Sequence, residues 1–97
     1  MPNLTREQRI ELVLALDDRV AYLDEALHAI DQRIKTVNAI LAGKLETNAS
    51  VSLATMQDAR TKLIAHLRTV LTCYQVLGEP PAVQASLLIS ELNLKES

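Results

Sequence analysis

The sequence predicts an all-α protein: a long antiparallel helical hairpin, coiled-coil-like, followed by a short C-terminal third helix and assembling as a dimeric helical bundle. Three observations carry that expectation. Val13, Leu16, Val20, Leu23, Leu27, Ile30, Ile34, Val37 and Leu41 recur at alternating spacings of three and four, so nine successive a and d positions of a heptad repeat are aliphatic. A second run, Leu53, Met56, Arg60, Leu63, Leu67, Val70, Tyr74 and Leu77, keeps the same spacing with one charged member. Beyond it, Gly78-Glu79-Pro80-Pro81 stops a helix, and a short apolar period follows.

Thr5 with Gln8 three residues later reads as a capping box, which starts helix 1. Helix 1 should run over about 5–45, roughly 60 Å at 1.5 Å per residue. The loop is placed at about 46–50, where Asn48 and Ser50 are N-cap candidates. Helix 2 then covers about 51–77, roughly 40 Å.

In an antiparallel pair, facing residues have numbers with a constant total. A total of 97 pairs Leu41 with Met56, Ile34 with Leu63, Leu27 with Val70 and Val20 with Leu77, and turns the chain inside the polar loop. Helix 2 would then stop short of Ile10, Val13, Leu14 and Leu16. Helix 3, at about 81–93 with Pro81 in its first turn, offers Val83, Leu87, Leu88 and Leu92 at helical spacing. The expectation is that it covers the apolar N-terminal end of helix 1, in its own chain or a partner's.

Composition narrows the function classes. The 97 residues make one domain, 48% hydrophobic, with no Phe or Trp and two Tyr, so the core must be aliphatic. A formal charge of −2 disfavours nucleic acid as the partner. The lone Cys73 cannot form an internal disulfide, and no apolar leader or span is visible, which leads to the expectation of a cytoplasmic protein with no membrane partner.

No phosphate-binding glycine loop and no nucleophile triad can be assembled. Glu25 and His28 have the Glu-x-x-His spacing of di-iron bundles, but they fall at f and b positions, away from the seam. No metal or cofactor is therefore expected. Cys73, at a g position, reads as a small buried or half-buried side chain, and His66, also at g, as a partly exposed one. Arg60 at a core position must either turn its head toward Asp31, Glu46 or solvent, or fix register and meet a partner's acid.

Ile40, Ile64, Leu71 and Val76 form a second partial apolar stripe that a homodimer would bury. Asp17, Asp18, Asp24 and Glu25 form an acidic face suited to a basic protein. The reading that follows is a non-enzymatic protein–protein interaction module, a small dimeric adaptor, assembly factor or regulator that docks a helical face on its partner. Its contact residues would be Ile40, Ile64, Leu71, Asp17, Asp18, Asp24, Glu25 and Arg60.

The alternative is a dimeric helical hairpin binding nucleic acid through Arg60, Lys62 and Arg68, or, further off, a small all-α enzyme or metal-binding bundle. The outline is similar to that of small three-helix chorismate mutases. That likeness implies several bases converging on an anionic substrate. Arg19, Arg33 and Lys44 lie on helix 1, but the later helices do not supply the matching set.

Overall fold

The structure, a computed structural model, describes the backbone of residues 3–41 and 47–92 and the side chains of 3–40 and 52–92. All regular structure among them is helical: α1 (Arg6–Leu41), α2 (Thr47–Leu77) and α3 (Val83–Leu92). α1 and α2 lie against each other as a hairpin, and α3 packs mainly on α1, in a body of 58 × 22 × 21 Å.

Local chemistry sets the helix ends. The Gln8 amide donates to the Thr5 hydroxyl oxygen (3.1 Å) while the Thr5 amide donates to the Gln8 side-chain carbonyl (3.0 Å), so the capping box forms as read. At the far end of α2, Gly78 takes φ of +69°. The Gly78 amide then donates to the Gln75 carbonyl and the Glu79 amide to the Tyr74 carbonyl, the paired bonds of a Schellman stop. Asn48 and Ser50 fall inside α2, not ahead of it, and Gly43 and Glu46 lie outside the described residues.

The heptad reading of the core holds closely. Val20, Leu23 and Leu27 of α1 are buried with Leu67, Val70, Tyr74 and Leu77 of α2. The a and d residues toward the ends of the hairpin are half-buried, as expected for a narrow two-helix seam.

The register is different. The Arg9 guanidinium donates to the Leu77 carbonyl, Tyr74 bonds Asp17, and Arg60 bonds Asp31. Under a total of 97, Leu77 would stand level with Val20, about 16 Å along the axis from Arg9 and out of an arginine's reach. The residue numbers in the last two ties instead total 91, so the hairpin closes about one heptad tighter. A slip of seven moves no side chain out of the seam, which is why the heptad pattern alone could not exclude it. The side-chain ties across the seam decide, Tyr74 with Asp17 and Arg60 with Asp31.

That shift also relocates α3. With 31 residues, α2 is about 46 Å long and reaches the Val13–Leu16 level itself, so no helix is needed as its continuation. The Gly78 stop and the proline pair turn the chain back, and α3 lies along the middle of α1, beside Asp24 and His28. It buries Ala85 (0%) and Leu88 (2%). Val83 and Leu87 point outward at 76% and 62% exposure, against the stripe read from sequence. Ile10, Leu12 and Leu14, the end that α3 was expected to cover, are exposed.

Candidate functional site

A two-helix seam has two flanks. In an antiparallel hairpin the e positions of both helices border one flank and the g positions border the other. On α1 the e positions are Asp17, Asp24 and Asp31, and on α2 they include Ile64 and Leu71. This flank is closed by the chain itself.

Each of its three aspartates is engaged. The Tyr74 hydroxyl donates to Asp17 (2.5 Å), the Gln84 side-chain amide of α3 to Asp24 (2.6 Å), and Arg60 Nε to Asp31 (2.6 Å). Ile64 and Leu71 are half-buried against the core that Ala85 and Leu88 complete. Arg60 leaves the seam toward Asp31, one of the routes expected for its head, and the pair is about one-third to two-fifths exposed. Only Asp18, Glu25 and Ile40, among the expected contact residues, stand exposed without such ties.

His28 clasps α3 to α1. Its Nδ1 faces the Asp24 carboxylate (2.9 Å) and backbone carbonyl (2.8 Å), and its Nε2 faces Glu91 (3.1 Å). The hydrogen bond to the Asp24 carbonyl raises the imidazole pKa above its ordinary value, slight desolvation opposes this, and the charges of Asp24 and Glu91 add to the rise. Potential ligand atoms of Asp24, His28 and Glu91 lie within 4.8 Å of one another. A metal ion takes one nitrogen of a given ring, however, whereas here both nitrogens address carboxylates from opposite sides. That is the geometry of an imidazolium donating twice. Glu25, the sequence partner of His28 in the Glu-x-x-His reading, makes none of these contacts.

The opposite flank is open. One hollow of about 590 Å³ has Leu16, Val70 and Leu77 among its floor residues and Leu12, Ala15 and Val76 on its walls. A second, of about 470 Å³, has Ile30 and Leu63 below and Ala26, Ala29 and Ala59 beside them. His66 lines both, so they form one groove along the hairpin, and no residue of α3 lines either. Its cationic side chains are Arg19, Arg33 and Lys62, His66 adds an imidazole, and no acid lines it. Arg19 lies over the ring of Tyr22 at 5.7 Å. Lys62 pairs with Asp58 at 3.0 Å. Cys73, expected to be at least half-buried, is exposed in this groove because no third helix covers it.

Sequence reasoning missed this groove although the signal was present. The g positions of α1 from 12 to 40, Leu12, Arg19, Ala26, Arg33 and Ile40, and those of α2 from 59 to 73, Ala59, His66 and Cys73, contain no acid, while every α1 e position from 17 to 31 is Asp. The fully buried side chains are aliphatic apart from Tyr74, so the described interior holds no reactive group, and no described helix is long and apolar enough to cross a membrane. Comparison of the chain with protein-family models, with curated proteins and with solved structures finds no match.

Proposed function

We propose that this chain is a non-enzymatic protein-interaction module that binds through the open flank of its hairpin. The observation that carries the reading is the inequality of the two flanks. One is filled by α3 and tied by Asp17, Asp24 and Asp31, whereas the other keeps an apolar floor accessible along most of the hairpin.

The acidic face becomes a weaker contact surface than the sequence suggested, because Asp17 and Asp24 already serve the fold. Self-association also has less behind it, since Ile64 and Leu71 pack within the chain. Nucleic-acid binding through Arg60, Lys62 and Arg68 loses two of its three bases to Asp31 and Asp58.

In-cell photocrosslinking tests the reading. A photoreactive residue at Ala29, in the groove, should trap a discrete protein in the native host. The same residue at Gln32, exposed and outside the groove, should trap none. Equal or absent adducts from the two positions would overturn the proposal.

A further inference from the structure

Resting on that reading, we infer that the open groove takes a single amphipathic helix of a partner protein, with a small or aliphatic stripe flanked by Asp or Glu, and not a second copy of this chain. Size and shape come first. The lining of the groove runs from Leu12 to Arg33 along α1, so it is about 32 Å long and matches a helix of about 20 residues. Its walls are low where Ala15, Ala26, Ala29 and Ala59 stand, which lets another helix approach the seam closely. The opposite flank already works this way, where α3 inserts Ala85 at 0% exposure.

Charge then selects the occupant. Arg19 and Arg33 have no acidic partner among the described residues. They sit two heptads apart, about 21 Å along one edge of the groove. A helix carrying acids at the same spacing on one edge would pair with both while its apolar stripe meets Leu16, Ile30 and Leu63. A two-fold dimer through this surface would instead set the patch against itself, bringing Arg19 and Arg33 of both copies together in a groove that no acid lines. A phosphate backbone would satisfy the arginines but leave the apolar floor unused, and two uncompensated arginines are few for a polyanion site.

The test is a fluorescence-anisotropy titration of the full chain with synthetic helical peptides of about 20 residues. One peptide carries an Ala/Leu stripe flanked by Glu, and the other has Lys in place of every Glu. The Glu peptide should bind saturably and the Lys peptide should not. The double variant Arg19→Glu/Arg33→Glu should weaken the Glu peptide by about tenfold and admit the Lys peptide. Alkylating Cys73 with a bulky maleimide should block the site, while His28→Ala, on the other flank, should leave it unchanged.

Equal binding of both peptides, or of neither, would overturn the inference. So would an oligonucleotide that displaces the Glu peptide and binds more tightly, or sedimentation showing a dimer whose affinity the double variant alters. The two readings fail separately. Crosslinks from Ala29 to a partner segment without acids would remove the acidic helix and keep the interaction module, whereas no crosslink at all would remove the module.

Discussion

Replacing Tyr74 by Phe deletes one hydroxyl from the centre of the hairpin and leaves the ring in place. Tyr74 is 1% exposed, and its hydroxyl donates to Asp17 at 2.5 Å. Burial, then the hydrogen bond to Asp17 and its charge, push the phenol from 10.0 up to about 12, with a backbone hydrogen bond at Ala82 acting the other way. A rise of that size corresponds to roughly 2–3 kcal/mol favouring the protonated fold. A hydrogen bond to a charged acceptor contributes about 1.5–3 kcal/mol by mutation, and the low end of this range applies because Asp17 is only half-buried and water can replace the lost donor. The expected loss in Tyr74→Phe is therefore about 1.5 kcal/mol at neutral pH.

The pH dependence follows from the sign. The folded pKa lies above the unfolded one, so this stabilisation is complete below pH 10 and disappears as pH rises through about 12. Urea unfolding of the wild type and Tyr74→Phe, run from neutral to strongly alkaline pH, should give stability curves that converge over that window. Lysine titration is common to both proteins and cancels in the difference. Phenolate absorbance in a Tyr22→Phe background reports Tyr74 alone and should show the raised value. A constant gap between the two curves, or a Phe variant as stable as wild type, would refute the argument.

Gly78→Ala should lower stability by about 1 kcal/mol in the same unfolding assay, because the residue must adopt φ of +69° although a Cβ there would meet nothing within 4 Å. Leu67→Ala, at 0% exposure, should lose about 2–5 kcal/mol, whereas Leu14→Ala, at 57%, should stay within about 0.5 kcal/mol. The His28 clasp has a raised folded pKa, so its contribution is full below pH 6.5 and is lost as pH rises through the folded value. The stability difference between wild type and His28→Ala should accordingly shrink from mildly acidic to alkaline pH. Arg60→Leu should change stability by no more than about 1 kcal/mol and leave peptide binding intact, since the pair with Asp31 is partly exposed and lies on the closed flank.

The hairpin and its core were legible because a heptad is a direct record of burial: among the described residues, all seven buried ones of α1 and α2 stand at a or d. The register was not, because the record repeats every seven residues and a slip from Val20 opposite Leu77 to a tighter pairing leaves the same stripe inside. Helix ends depended on local groups. Thr5 and Gln8 announce theirs by a reciprocal bond, while Asn48 and Ser50 are polar residues that α2 simply includes. The position of α3 was lost with the register, since its place at the N-terminal end followed only from an α2 thought to be too short. Its face was ambiguous for another reason. A ten-residue helix that is apolar on both sides, with Val83 and Leu87 opposite Ala85 and Leu88, carries too little polarity to say which side turns inward.

The open groove follows from how charge is divided between the flanks. Aspartates at e positions gave α3 something to hold, through Gln84 and through the imidazole of His28, and the short proline turn placed α3 within reach of that flank. Had the acids stood at g, the same third helix could have found its polar ties on the other side. The g flank instead gathers arginines, alanines and a cysteine, which neither repel an apolar helix nor bind the one this chain supplies. A hairpin of two helices leaves two grooves, and among the described residues one short helix, α3, fills one of them. The open groove is therefore defined both by its own residues and by the side on which α3 packs, and shifting the acids from e to g positions is the most direct way to change which flank stays open.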